Sequence, residues 1–164
     1  MRFWILILTL GICVSAVGSE QNSADTFEQL KALTGEWQAD LPGFGIITNS
    51  VRLASNGRAI EETLGTPADN EISVYTRDGN RILLTHFCAL TPDGHVARLE
   101  TAPLKGAFDR LEFVFRDATN LHSLAAPHMR RVLLIIRDHD HFTEKWTKIE
   151  KEKDTVFDLN FVRH

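Results

Sequence analysis

The sequence predicts an all-β protein: a closed antiparallel up-and-down barrel of about ten strands with one short N-terminal helix. The first observation is that apolar and polar residues alternate with period two through most of the chain, a pattern typical of half-buried strands. The second is that turn residues interrupt this pattern at roughly the 8–12-residue spacing of sandwiches and barrels. Because closure removes the two exposed edges of such a sheet, a barrel is favoured over the alternative, a β-sandwich.

The first 19 residues have the layout of a secretory signal peptide. Arg2 provides a basic start, residues 3–14 form an apolar run, and small residues follow between 15 and 19. The run is shorter than the roughly 20 apolar residues that span a bilayer, so no stable membrane anchor is expected after cleavage. We therefore expect a signal peptide over 1–19, one barrel domain over 20–164, and a periplasmic or secreted location. An uncleaved N-terminal anchor is the alternative.

Composition and charge narrow the class of partner. The chain has 164 residues and a formal net charge of -4, with Lys and Arg spread along it, so a nucleic acid partner is not expected. Cleavage of the leader would remove Cys13 and leave Cys88 as the only cysteine, which excludes an internal disulfide. A chain of this length buries enough apolar surface to fold without one.

The elements are predicted from spacing and turn chemistry. A short helix is predicted over Asp25–Leu33, where Phe27, Leu30 and Leu33 recur at helical spacing behind a possible N-cap at Asp25. The predicted strands are Glu36–Asp40, Gly45–Ala54, Ala59–Leu64, Glu71–Thr76, Arg81–Leu90, His95–Thr101, Arg110–Arg116, Arg130–Asp138, His141–Glu150 and Thr155–Val162.

Four turn signals separate these strands into hairpins, because Gly, Asn and Asp tolerate the positive φ that tight turns need. They are Ser55-Asn56-Gly57, Arg77-Asp78-Gly79-Asn80, Thr91-Pro92-Asp93-Gly94 and Asp138-His139-Asp140-His141. The longest irregular connection runs from Asp117 to about Met129 and contains Asn120 and His128. Loops of that length are often functional, although a plain surface excursion is an equal alternative.

The segment where the helix meets the first strand resembles a family signature. Leu33-Thr34-Gly35-Glu36-Trp37 resembles the Gly-x-Trp motif near the N-terminus of lipocalins and other calycins. The resemblance implies that Trp37 packs across one end of the barrel, with a ligand contact as the alternative. Residues 38–47 resemble the Gly-rich start of nitrobindins, which hold haem in a ten-stranded barrel, but no residue here matches the nitrobindin haem-ligating histidine.

A second resemblance covers most of the chain after the leader. Four segments are similar to those of an uncharacterised group of exported bacterial calycin-like proteins: Thr85-His86-Phe87-Cys88, Thr119-Asn120-Leu121, His128-Met129 and Asp138-His139-Asp140-His141-Phe142. This resemblance implies the fold and an exported location, and it implies no particular reaction.

The hairpin around Asp78-Gly79 provides the candidate binding face. With those two residues as the loop, three cross-strand pairs are predicted: Tyr75 with Ile82, Ser73 with Leu84, and Glu71 with His86. One face then carries Glu71, Ser73, Tyr75, Ile82, Leu84, His86 and Cys88. Polar groups interleaved with Ile and Leu suit a cavity that holds a mostly apolar ligand. The alternative is that His86 is a core histidine satisfied by Glu71.

Two pairs of residues in the sequence carry donor atoms for metal binding, and one of them also contains a possible nucleophile. His86-x-Cys88 and His139-x-His141 each place two donor atoms on one side of a strand. Two donors do not make a site, so no metal ligand is assigned unless His128 or His139 folds near His86. Nucleophilic catalysis by Cys88 would likewise need a base within hydrogen-bond reach.

Two acidic segments carry further expectations. Glu61-Glu62 places one carboxylate on each face of its strand, and an inward carboxylate would need a partner such as Arg52 or Arg131. The run from Glu144 to Asp154 alternates in charge and is predicted to be a solvated hairpin.

The favoured hypothesis is an exported barrel that binds a small, largely apolar ligand. The predicted ligand-binding residues are Trp37, Glu71, Tyr75, His86, Cys88, Asn120 and His128. One alternative is a haem- or metal-binding protein or enzyme that uses His86, Cys88 and His128. Another is a structural or interaction module whose barrel is filled by side chains. The sequence assigns no cofactor, ligand identity or oligomeric state.

Overall fold

The computed structural model of the chain describes residues 20–66, 69–88, 94–104 and 108–164, with side chains from Thr26 onward. The predicted signal peptide lies outside the described residues, as do residues 91–93 of one predicted turn and the last two residues of the predicted strand Arg81–Leu90. In the described part of the chain, no helix is long and apolar enough to cross a membrane.

The described residues form one helix and ten strands, apart from a short 3-10 turn at Ser55–Gly57. The elements are α1 (Glu20–Lys31), β1 (Gly35–Leu41), β2 (Gly45–Ala54), β3 (Ala59–Thr66), β4 (Asp69–Asp78), β5 (Arg81–Phe87), β6 (Val96–Thr101), β7 (Arg110–Ala118), β8 (His128–Ile136), β9 (His141–Glu150) and β10 (Lys153–Arg163). The helix begins earlier than predicted because no Gly or Pro interrupts residues 20–25. Asp25 therefore lies inside the helix and is not its N-cap.

The ten strands close into one barrel. Neighbouring strands are antiparallel, in the order β1-β10-β9-β8-β7-β6-β5-β4-β3-β2. The first and last strands meet through the pairs Trp37↔Arg163 and Gln38↔Val162. Closure pairs both edges of the sheet, so the fold is the predicted barrel and not the sandwich.

The two ends of the barrel differ in what covers them. At one end, called the helix end, lie α1 and the β2–β3, β4–β5 and β8–β9 turns. Phe27, Leu30 and Leu33 are buried there, as expected for apolar residues at helical spacing. At the other end, called the open end, lie the β1–β2, β3–β4, β7–β8 and β9–β10 connections.

Trp37 closes the helix end. Its side chain is 1% exposed, its Nε1 donates to the Leu33 carbonyl at 2.8 Å, and its ring meets Phe142 edge-on at 4.7 Å. The Arg163 guanidinium lies 4.0 Å from the centre of the indole ring and donates to the Thr34 carbonyl at 3.0 Å. These contacts tie the last strand to the segment after α1, which is the packing expected of a plug.

The β4–β5 hairpin corrects one predicted register. Ser73 lies opposite His86 rather than Leu84, and the other two predicted pairs shift in the same way, because the loop is Gly79-Asn80 instead of Asp78-Gly79. Gly79 has a φ of 57°, and a glycine with positive φ is favoured at the first position of a two-residue hairpin loop. The offset is two residues, so each side chain stays on its predicted face.

Candidate functional site

Two buried glutamates lie together inside the barrel, and we call them the carboxylate pair. Glu62 on β3 and Glu144 on β9 are 2% and 1% exposed. Glu62 accepts hydrogen bonds from Asn49 Nδ2 at 2.5 Å and from Tyr75 Oη at 2.8 Å. Glu144 accepts one from Trp146 Nε1 at 2.8 Å. Glu62 is thus surrounded by hydrogen-bond donors.

The carboxylate pair retains a proton on Glu144. Burial, the negative charge of Glu62 and a hydrogen bond with Glu62 raise the pKa of Glu144 well above its ordinary value of 4.5, because two adjacent carboxylates cannot both ionise in a dry interior. Burial and then the charges of Glu62 and Glu144 also raise the pKa of Tyr75 well above 10.0. Glu144 and Tyr75 therefore keep their protons and donate hydrogen bonds to Glu62, as Asn49 also does.

Neither Arg52 nor Arg131 is the partner of the inward carboxylate of Glu62. Glu62 is the inward residue of Glu61-Glu62, but Arg52 lies outside with Glu36 and Arg131 pairs with Glu112. Arginine side chains on outward strand positions reach solvent and do not cross the barrel wall. Glu62 instead accepts hydrogen bonds from Asn49 and Tyr75, and the neighbouring Glu144 stays neutral, so that no second negative charge is added.

Glu144 is also the residue that sequence reasoning missed. The prediction that residues 144–154 form a solvated hairpin is wrong at Glu144 and Trp146, which are both buried. A signal was available: Phe142, Glu144 and Trp146 share one face of β9 by their spacing. Two large apolar neighbours on one face mark that face as the inner one.

A second polar cluster, which we call the Glu-His-Cys cluster, lies nearer the open end. It consists of Glu71 on β4, His86 on β5 and Cys88 just after β5, with one donor atom from each residue all within 4.8 Å of one another. Cys88 Sγ lies 3.5 Å from Glu71 Oε1, and His86 Nε2 lies 3.5 Å from Glu71 Oε2. All three side chains are on the face that the sequence predicted to be the binding face.

The His86 ring is fully buried, but only one of its two nitrogens has a hydrogen-bond partner among the described residues. Its Nδ1 shares a hydrogen bond with Ser73 Oγ at 3.1 Å, and its ring packs 4.4 Å from the Trp146 ring. Burial lowers the pKa of His86 to about 4, so the imidazole is neutral near pH 7. Its Nε2 has no hydrogen-bond partner among the described residues, because the contact with Glu71 lacks hydrogen-bond geometry. Such a buried orphan atom costs about 1–3 kcal/mol.

A pocket of about 160 Å³ opens at the open end of the barrel. Its walls are mostly apolar: Leu41, Phe44, Ile47, Leu64, Met129, Trp146, Phe157 and Leu159. Its other lining residues are Gly65, Thr66, Asp69 and Glu71. Glu71 therefore belongs to both the pocket and the Glu-His-Cys cluster, and Trp146 lines the pocket and packs against His86.

The predicted ligand-binding residues are distributed over four places. Glu71, His86 and Cys88 come together, whereas Tyr75 belongs with the carboxylate pair and Trp37 with the plug of the helix end.

The remaining two predicted residues lie at the β7–β8 connection. Asn120 is exposed, with a φ of 55°. His128 is buried, shares a hydrogen bond with the Ala126 carbonyl at 2.8 Å and packs 4.5 Å from the Phe115 ring. Among the described residues that line the pocket, neither of the two occurs.

The histidines of the β8–β9 turn are also apart from the cluster. His139 and His141 are exposed, and each contacts a neighbouring aspartate of the same turn. The turn lies at the helix end, whereas His86 lies toward the open end. His128 and His139 therefore do not complete a site with His86, and the third donor beside His86 and Cys88 is Glu71.

No protein-family model matches this chain, and no curated protein sequence matches it either.

Proposed function

We propose that this chain is an exported, calycin-like barrel protein that binds a small, largely apolar molecule at its open end. The observation that carries the proposal is the pocket of about 160 Å³, with apolar walls and only a few polar groups. Small-molecule sites typically combine an apolar lining with a few polar groups that orient the ligand. The proposed partner is thus a small molecule, and not a nucleic acid.

The volume of the pocket limits the size of the apolar group. An engineered apolar cavity of about 150 Å³ holds benzene, so this pocket suits one ring or a short alkyl chain. Phe44 lines the pocket and is 61% exposed, so the pocket opens to solvent and a longer molecule would extend past its rim. Met129 adapts the wall to different shapes, since its unbranched side chain fills irregular gaps.

Glu71 is the polar group best placed to orient a ligand. It lines the pocket and is mostly buried, with 13% of its side chain exposed. A carboxylate in that position favours a ligand that carries a hydroxyl or amine beside its apolar part, because those groups donate hydrogen bonds to it.

Two further features support the calycin-like and exported parts of the proposal. Trp37 packs across the helix end of a closed barrel, in the position that the Gly-x-Trp resemblance implies. The basic start, apolar run and small residues of the leader support export to the periplasm or medium.

Toluene binding to the full chain, detected by two-dimensional NMR, tests whether the pocket binds an apolar ligand. The matched variants are Ile47→Trp and Ile46→Trp, which change neighbouring residues of the same type. Ile47 lines the pocket and is 7% exposed, whereas Ile46 is 57% exposed on the outer face. Ile47→Trp should fill part of the pocket and weaken toluene binding at least about tenfold, or 1.4 kcal/mol.

The control variant and a polar probe make the result specific. Ile46→Trp should leave toluene affinity within about twofold, and glycerol should cause no shifts at the pocket. The proposal fails when toluene shifts no pocket resonance in the unmodified chain, or when the two variants weaken binding equally. If toluene binds as expected, native mass spectrometry of protein purified from its own host would identify the natural occupant.

A further inference from the structure

The β4–β5 hairpin brings three different metal-binding donors together. Ser73 lies opposite His86, and Ile72 lies opposite Phe87. Extending this register by one residue places Cys88 opposite Glu71, on the inner face with His86. A carboxylate oxygen, an imidazole nitrogen and a sulfur atom thus converge from two adjacent strands, all within 4.8 Å.

His86 Nε2 points into this cluster without a hydrogen-bond partner among the described residues. The side chain is 0% exposed, so bulk water does not satisfy this nitrogen. Buried polar atoms are nearly always paired, and an orphan requires an explanation such as a bound ion. A metal ion between the three donors would use the lone pair of Nε2.

From these observations we propose that Glu71, His86 and Cys88 bind a zinc ion and leave its fourth coordination position to water or an exogenous ligand. Zinc sites with three protein ligands commonly keep such an open position. Sulfur, nitrogen and oxygen donors together suit zinc better than magnesium or calcium, which prefer oxygen alone.

Two of the separations between the donors fit this assignment. Zinc binds oxygen, nitrogen and sulfur at about 2.0–2.3 Å, so tetrahedral donors lie roughly 3.3–3.6 Å apart. Two separations in the cluster are 3.5 Å: Cys88 Sγ to Glu71 Oε1, and His86 Nε2 to Glu71 Oε2. These contacts involve different oxygens of Glu71, and the donor atoms lie within 4.8 Å of one another, so zinc binding would turn the Glu71 carboxylate and draw the three donors closer together.

The charges also balance. Zinc binding displaces the thiol proton of Cys88 to solvent, so that the thiolate and the Glu71 carboxylate together neutralise the two positive charges of the ion. A metal ion in the interior needs such neutralising ligands, because an isolated charge there is strongly disfavoured.

Ser73 and Trp146 hold His86 in the orientation that the ion requires. Metal-bound histidines almost always engage their second ring nitrogen in a hydrogen bond, which fixes the ring. Here His86 Nδ1 makes that bond with Ser73 Oγ at 3.1 Å, and the Trp146 ring covers the imidazole at 4.4 Å. Ser73 is thus a positioning residue for the zinc ligand.

The zinc proposal does not depend on the apolar ligand of the pocket. Glu71 connects the two, because it is both a donor of the cluster and a lining residue of the pocket. Toluene binding and zinc binding are separate measurements, so either proposal can fail while the other holds.

Cobalt spectroscopy tests the site directly. The full chain carrying Cys13→Ser, in which Cys88 is the only cysteine, is stripped with a chelator and titrated with Co²⁺. We expect one equivalent to bind with a thiolate-to-cobalt charge-transfer band and tetrahedral visible bands. Zn²⁺ should displace the cobalt at one ion per chain, since sites of this type bind zinc more tightly. Absence of the thiolate band, or zinc below one equivalent at saturation, overturns the proposal.

Variants assign the ligands. Cys88→Ser should abolish the charge-transfer band, and Glu71→Gln and His86→Gln should each weaken zinc binding by more than about 100-fold. Ser73→Ala should weaken it by the roughly 10–100-fold typical of a lost supporting bond. His139→Gln changes an exposed histidine outside the cluster and should leave affinity within about threefold. Zinc affinity that survives Cys88→Ser, or that is lost in His139→Gln, overturns the assignment.

A measurement on the unmodified cluster covers the case in which these variants fail to fold. Zn²⁺ should slow alkylation of Cys88 by iodoacetamide at least about tenfold in the folded Cys13→Ser chain, because a metal-bound thiolate is a poorer nucleophile and less accessible. A chelator should restore the original rate. An alkylation rate that zinc leaves unchanged overturns the proposal.

Discussion

Replacing Glu144 by glutamine should change how the stability of the barrel depends on pH. Glu144 keeps its proton in the folded state because burial and Glu62 raise its pKa. In the unfolded chain the same carboxyl loses its proton above its ordinary value of 4.5. The folded state then holds more protons than the unfolded state, so the contribution of Glu144 falls as pH rises. Glutamine has no proton to retain, and its amide can still donate to Glu62 and accept from Trp146.

The size of the effect follows from linkage. Each pH unit above 4.5 costs the unmodified chain about 1.4 kcal/mol while the folded state keeps the proton. Between pH 4.5 and 7 the free energy of unfolding of Glu144→Gln should therefore rise, relative to that of the unmodified chain, by up to roughly 3 kcal/mol. The gain should be small at pH 4.5 and below, where both states of the unmodified chain hold the proton.

Urea titration followed by tryptophan fluorescence measures this difference between pH 4 and 8, with a chelator present. Stability must be compared between the variant and the unmodified chain, because the titration of His86 changes stability with pH in the opposite direction. Its pKa falls from 6.5 to about 4 on folding, which raises stability with pH over that range. Glu61→Gln, on the exposed face of the same strand as Glu62, reports the effect of losing one solvent-facing carboxylate. If the stability difference between Glu144→Gln and the unmodified chain stays constant with pH, the assignment of a retained proton to Glu144 is refuted.

Three further predictions concern the plug, one turn and the leader. Trp37→Ala should lower the free energy of unfolding by about 3–5 kcal/mol in a denaturant titration, and a loss below about 1 kcal/mol would show that Trp37 is not a plug. Gly65→Ala should destabilise the chain more than Gly79→Ala, because its Cβ would clash with the Asp69 carbonyl oxygen, whereas Gly79 has open space; equal losses in thermal unfolding would contradict this. N-terminal sequencing of exported protein should find a start between Val17 and Gln21, and a chain that still begins at Met1 would argue against cleavage.

Much of the candidate site could be predicted because it lies within one hairpin. Glu71, His86 and Cys88 share a face through strand periodicity alone, and that inference survived a register error of two residues. The contact between Cys88 and Glu71 could not be predicted, because the incorrect loop placed His86 rather than Cys88 opposite Glu71. The choice of loop depends on one glycine with positive φ, which the sequence motif permits at either of two positions.

The walls of the pocket and the carboxylate pair could not be predicted in the same way. The pocket takes its lining from β1, β2, β3, β4, β8, β9 and β10, and from the loop between β1 and β2. Glu62 and Glu144 come from β3 and β9, which are not neighbours in the sheet. Which residues face each other across a barrel depends on its closure and tilt, and these are properties of all ten strands together.

Local patterns in the sequence were enough to predict a closed barrel of short strands after one helix, and to predict which side chains of each strand share a face. Both follow from local chemistry, since alternation and turn residues act over a few positions. The tertiary structure was needed to show that Glu144 is buried and protonated beside Glu62, that His86 Nε2 has no hydrogen-bond partner among the described residues, and that the pocket opens away from α1. Burial raises the cost of charge and of unpaired polar atoms, and burial is decided by elements far apart in the chain.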